Sequence, residues 1–127
     1  MKLNIVIIII IINSIACSSS KKISKNNIVT DNYGYMQNEP INVGGVYTSG
    51  AANQREYLNS LSGPNGEEVS FVRVGSCCPF KTKNSSFNSG LLDIYKVTYD
   101  GKGDTVRLYL NLYDEEPVRA PLGFKFR

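Results

Sequence analysis

Two stretches near the C-terminus alternate most regularly between apolar and polar residues, Leu91 to Tyr99 and Thr105 to Tyr113. A period of two marks a half-buried strand. Between them lies Asp100-Gly101-Lys102-Gly103-Asp104, a glycine-bearing turn, so the pair predicts a β-hairpin. With Tyr99 set opposite Thr105, Leu92, Ile94, Val106, Leu108, Leu110 and Leu112 share one face and form the expected core. The other face then carries Asp93, Tyr95, Tyr99, Arg107, Tyr109, Asn111 and Tyr113, with Val97 and Leu91 as its only aliphatics. Val69 to Val74 is a third strand by its β-branched and aromatic content. Tyr33-Gly34-Tyr35, Ile41-Asn42-Val43 and Phe124-Lys125-Phe126 are shorter extended candidates.

Helical spacing occurs once with force. From Ala51 to Leu61, Gln54, Tyr57, Leu58 and Leu61 fall on one face, Ser49 is placed to cap the start, and Gly63-Pro64-Asn65-Gly66 stops the helix. Three apolar residues on one face predict packing on a sheet. The expected fold is α+β: a small antiparallel sheet of four to six strands with one packed helix.

The N-terminus is of another kind. Ile5 to Ile12 is an unbroken aliphatic run after a minimal basic start, Met1-Lys2. A membrane span needs about 20 apolar residues, so the run fits the core of an export signal instead. Ser14-Ile15-Ala16-Cys17 resembles a bacterial lipobox, with Ser14 standing where that signal usually has an aliphatic residue. The resemblance implies cleavage before Cys17, a diacylglycerol on its sulfur and an acylated amine, hence a palmitate-type anchor. An ordinary signal peptide cut nearby, with Cys17 incidental, is the alternative. The polar stretch from Ser18 to Asn27 reads as a spacer. The expected division is residues 1–16 as signal peptide, 17–31 as flexible tether and 32–127 as one α+β domain. Acidic residues that direct some lipoproteins to the cell surface do not follow Cys17, so the expected location is the cell envelope, on the outer membrane facing the periplasm.

Composition removes several chemistries. The 127 residues contain no histidine, the usual acid/base near neutral pH and the usual metal ligand. The formal charge of +3, one less once Lys2 leaves with the leader, is too small and scattered for a nucleic-acid footprint. No catalytic set, metal site or cofactor is expected. Asp93 is the only mid-strand carboxylate, whereas glycoside hydrolysis needs two flanking one cleft. Asp114-Glu115-Glu116 reads as a solvated acidic turn, without the ligand spacing of a calcium site.

Two constellations remain. Cys77 and Cys78 are adjacent and precede Pro79. In an oxidising envelope they can close into a strained vicinal disulfide, serving as a redox switch or as a flat plate against a ligand such as a sugar ring. The simpler reading makes them small buried residues at a strand end. A soft-metal site lacks a nearby histidine or methionine. The second constellation is the tyrosine-bearing hairpin face (Asp93, Tyr95, Arg107, Tyr109, Asn111 and Tyr113), which has the composition of a recognition surface or of an ordinary wet sheet face. Arg73 can pair with Asp93 at the surface.

The runs Leu58-Asn59-Ser60-Leu61-Ser62-Gly63-Pro64-Asn65-Gly66, Arg73-Val74-Gly75-Ser76-Cys77-Cys78-Pro79-Phe80, Gly90-Leu91-Leu92-Asp93 and Tyr109-Leu110-Asn111-Leu112-Tyr113-Asp114 resemble a group of small lipoproteins from Bacteroidota. So do Tyr33-Gly34-Tyr35 and Val43-Gly44-Gly45. The likeness runs from Tyr33 to the C-terminus, and it implies a lipid-anchored envelope protein with no established activity. Some members carry the automatic name 2-dehydro-3-deoxyphosphooctonate aldolase. A phosphate-binding (β/α)₈ barrel needs roughly 200 residues or more, which this chain lacks. The expectation is a binding or assembly module with an envelope protein or glycan partner. The alternative is an envelope enzyme of thiol-redox or carbohydrate chemistry.

Overall fold

The computed structural model of the protein describes residues 31–45 and 50–127. The leader, Cys17, the tether up to residue 30 and the capping position Ser49 lie outside the described residues. The elements are β1 (Ile41–Asn42), α1 (Gly50–Ser60), β2 (Leu61–Ser62), β3 (Val69–Lys81), β4 (Ser89–Tyr99), β5 (Val106–Asn111) and β6 (Lys125–Phe126). A four-stranded sheet runs in the order β1-β5-β4-β3, and β2 pairs with β6 in a separate two-stranded ribbon. The fold is α+β with a small sheet and one helix. Its long strands are antiparallel, while the short β1 adds a parallel pair against β5, with Ile41 beside Leu110.

One helix face enters the core as the spacing predicts. Gln54, Tyr57 and Leu58 are buried, followed by Leu61 at the start of β2. They meet Val69, Tyr95, Val97, Leu108 and Leu110 from the sheet, with Ile41, Val43 and Phe124 closing the sides. Phe124 packs edge-on against Tyr99 at 5.6 Å between ring centroids. The C-terminal ribbon is further tied down by the Tyr57 hydroxyl, which donates to the Arg119 carbonyl at 2.8 Å.

The hairpin forms between the expected strands but in a different register. Tyr95 faces Leu108, Val97 faces Val106 and Asp93 faces Leu110. Setting Tyr99 against Thr105 would have placed Tyr95 opposite Tyr109. The turn decides this: Lys102 N–H donates to the Tyr99 carbonyl at 3.0 Å, and Gly101 supplies the left-handed residue at φ 82°. A tight turn closing there leaves Gly103 to Thr105 outside the strand, and the register moves by one. A one-residue slip reverses a whole strand face. Asp93, Tyr95 and Val97 therefore point to the helix side, and Ile94 and Lys96 point away from it. This corrects the expected core and places Leu92 and Ile94 on the outer face, where Leu92 is nonetheless buried.

The first strand of the large hairpin also runs further than expected. β3 continues from Val69 through the cysteine pair to Lys81, with register shifts between Arg73 and Gly75 and between Cys77 and Phe80. Two bulges let one strand absorb extra residues without ending. The cysteines thus lie inside a strand, not at its end.

Chain crossings at the β1 side leave no space for side chains. A Cβ on Gly44 would stand 2.6 Å from the Tyr113 carbonyl oxygen and 2.7 Å from the Asp114 nitrogen, both backbone atoms. Gly44→Ala should therefore cost about 3 kcal/mol of stability, at the upper end of overpacking penalties. Urea denaturation measures this, and an unchanged midpoint would contradict the close approach.

Candidate functional site

The sheet's two faces have different chemistry, and Asp93 marks the inner one. This carboxylate is 6 % exposed. Its Oδ1 accepts from Arg73 Nε at 3.1 Å, Arg73 Nη2 at 2.7 Å and the Ser76 hydroxyl at 3.0 Å. Its Oδ2 accepts from Gln54 Nε2 at 2.8 Å, and Gln54 Oε1 accepts from the Tyr95 hydroxyl at 3.0 Å. Every polar atom of this buried set is paired, as burial of charge requires. Hydrogen bonding and charge from Asp93 raise the Arg73 pKa above its ordinary value. Burial pushes the Tyr95 hydroxyl up, and the Asp93 charge adds to it. Asp93 is thus committed on both oxygens, and its geometry is that of a structural tie between helix and sheet. The expected Arg73–Asp93 pair forms with its carboxylate buried, not at the surface.

Of the six residues expected on one recognition face, the structure keeps only some together. Asp93 and Tyr95 lie inside, a consequence of the register shift. Asn111 is buried, with its amide donating to Asp114 Oδ2 at 2.8 Å and its carbonyl accepting from the backbone of Tyr113 at 2.8 Å. Tyr109 and Tyr113 are half-buried, and Arg107 is exposed. Tyr113 packs edge-on against Phe80 at 5.9 Å. By strand alternation, Arg107, Tyr109, Ile94 and Lys96 share the outer face.

That outer face also holds two valines of the strand that β-branched content predicted. Val72 is 58 % exposed and Val74 is 45 % exposed. Val72 pairs with Lys96 across the strands, and Cys77 pairs with Leu92. A disulfide joins Cys77 to Cys78, and both residues are half-buried. Cys78 takes a left-handed backbone at φ 65°, which a non-glycine residue adopts at a cost. The bulge holds it there and sets the disulfide on the same side of the sheet as Leu92. The resulting surface combines aliphatic side chains, a disulfide and tyrosine, with Lys96 standing between Val72 and Arg107 in one cross-strand row. Among the described residues this surface carries no paired carboxylates and no nucleophile–base set.

The acidic turn is divided. Glu115 and Glu116 are exposed, whereas Asp114 points into the structure and accepts from Thr82 Oγ1 at 2.6 Å and Asn84 Nδ2 at 2.9 Å. Partial burial alone would raise the Asp114 pKa, but the hydrogen bonds from Thr82, Asn111 and Asn84 outweigh it and hold the carboxyl below its usual range. Its folded pKa is below its unfolded one, so this contribution is complete above about pH 4 and lost as pH falls through the folded value. Asp114→Asn should flatten the acid-side fall in stability, as read by urea midpoints between neutral pH and pH 3. An unchanged acid slope would show that Asp114 is not the responsible group.

Gln54→Leu would leave the Tyr95 hydroxyl and Asp93 Oδ2 without their partner. The expected loss is about 1–3 kcal/mol in denaturant unfolding, the cost of unsatisfied buried groups. A neutral substitution would mean that the amide does not tie helix to sheet. No family model matches this chain, and no curated protein or solved structure matches it.

Proposed function

We propose that the protein is a lipid-anchored binding module of the cell envelope, held at the membrane through Cys17 and recognising a protein or glycan partner with the outer face of its sheet. The observation that carries the binding assignment is the part of the outer face around Val72 and Val74, which stands open to solvent while Leu92 further along the same face is buried. Val72 and Val74 are more exposed than aliphatic strand residues usually are, and they stand with Tyr109 and the half-exposed Cys77–Cys78 disulfide. Exposed aliphatic residues gathered on one sheet face fit an interaction site. Tyrosine and arginine, here Tyr109 and Arg107, are the residue types that most often carry interface energy. The anchor rests on the apolar run Ile5 to Ile12 and on Ser14-Ile15-Ala16-Cys17. Two or more acyl chains hold a protein stably on a bilayer. The placement facing the periplasm and the kinship with small Bacteroidota lipoproteins belong to the same proposal.

A second reading has one observation in its favour. The Cys77–Cys78 disulfide joins residues that are only half-buried, and a thiol-redox enzyme of the envelope needs a disulfide that a thiolate can reach.

Intact-mass analysis of the purified mature chain, with and without alkylation, tests the anchor and the disulfide together. The expected result is a chain beginning at Cys17 with acyl mass added, and with Cys77 and Cys78 alkylated only after reduction. A chain retaining Met1 would remove the anchor. A photocrosslinking residue at Val72 or Tyr109 should capture one defined envelope partner in cells, and a diffuse background would remove the binding role. Replacing both Cys77 and Cys78 by Ser should weaken that capture while leaving thermal stability nearly intact. A double variant that unfolds would make the disulfide structural.

A further inference from the structure

The β3–β4 connection carries the most exposed large apolar side chain among the described residues. Phe87 is 88 % exposed. Loose loops can leave an aromatic in water by default, but this loop is tied down. Thr82 is buried, its hydroxyl donates to Asp114, and its backbone N–H donates to the Asn88 carbonyl at 3.3 Å. Asn84 contributes a side-chain bond to the same Asp114 oxygen and a backbone bond to Thr82 Oγ1 at 3.1 Å. The tip therefore holds Phe87 outward in a preset geometry.

Charge indicates what it is held towards. From Lys81 to Leu92 the sequence contains two lysines and no acidic residue. Lys81 and Lys83 are both exposed, and the only ion pairs among the described residues are Arg73–Asp93 and Arg119–Asp31. Asp114 reaches the loop but is turned inward to anchor it. An isolated aromatic flanked by unpaired cations suits the headgroup region of an anionic bilayer, where a ring can enter and the ammonium groups can meet phosphates. A protein interface would instead surround its anchor residue with a water-excluding rim. Chain length permits the contact: the stretch from Cys17 to Asp31 can extend about 50 Å at most.

We propose that the β3–β4 tip is a membrane-docking loop that inserts Phe87 into an anionic phospholipid surface while Lys81 and Lys83 contact its phosphates. This rests on the lipid-anchor reading for the bilayer being at hand, and it adds a second contact that fixes how the domain stands on the membrane. The outer sheet face would then be presented at a set angle, free for its partner.

The chain has no tryptophan, so Phe87→Trp creates a unique fluorescent reporter at a site where the side chain has little packing to lose. The full mature protein carrying it is reconstituted on phosphatidylglycerol-containing vesicles and on pure phosphatidylcholine vesicles. The expected result is blue-shifted emission, quenched by lipids brominated along the acyl chain, on the anionic vesicles. Both effects should be weaker on phosphatidylcholine and lost when Lys81→Glu and Lys83→Glu are added. Unaltered thermal melting of the variants separates this loss from unfolding. Protein that floats with the vesicles while Trp emission stays as in solution overturns the docking loop and leaves the anchor standing. If the chain does not float, the anchor fails. The same anionic vesicles are then added to the protein in solution, where a silent tryptophan overturns the loop independently. A blue shift seen with native envelope extract but not with pure lipid would assign the tip to a protein and equally overturn the proposal.

Discussion

Burial of the Asp93 carboxylate beneath the helix is the constraint on which the rest of the structure depends. A charge in the interior must be paired and hydrogen-bonded, or the fold loses several kcal/mol. Here Arg73 and Ser76 come from β3 and Gln54 comes from α1, so three side chains from two elements converge on one side chain of β4. The tie selects a register. Shifting β4 by one residue would turn Asp93 outward, unpair Gln54 inside, and exchange Tyr95 and Val97 for Ile94 and Lys96. Packing and polar pairing thus favour the same alignment, which is how a small sheet avoids alternative pairings.

The same alignment has consequences for the opposite face. With Val97, Leu108 and Leu110 committed to the helix, the outer face includes Val72, Val74, Ile94, Tyr109, Lys96 and Arg107, beside the buried Leu92 and the disulfide. The bulges in β3 then determine where the disulfide sits. An extra residue between Arg73 and Gly75 lets Arg73 and Ser76 both reach Asp93, and the next shift places Cys78 in its left-handed conformation. Structural tie and half-buried disulfide are therefore neighbours along one strand. The first fixes the sheet on its helix side, and the second lies on the free side.

Asp114 plays the corresponding part at the other end of the hairpin. It joins the turn after β5 to the connection between β3 and β4 through Thr82 and Asn84, and Asn111 braces it from the strand. A carboxylate that looks like one member of a solvated acidic run is in fact the anchor of a loop. Its neighbours Glu115 and Glu116 keep the exposed character their composition suggests.

Local pattern determined the elements and their kind. The period-two runs fixed the hairpin strands, and the spacing of Gln54, Tyr57 and Leu58 fixed both the helix and the face it buries, because these depend on residues near one another in sequence; Leu61, expected at the end of the helix, opens β2 instead. The adjacency of Cys77 and Cys78 singled out that region without any structure. What needed the tertiary structure was which side of each strand faces inward. Alternation alone is equally satisfied by either register, and the choice fell to a turn closed at Lys102 and to a carboxylate whose partners lie 20 and 39 residues away. Tyr95 and Asp93 moved inside for that reason. The exposure of Val72 and Val74 needed the structure in the same way, since β-branched content marks a strand without saying which of its faces is covered. The parallel pairing of β1 likewise depends on a contact across some 70 residues, which a two-residue strand has no local pattern to announce.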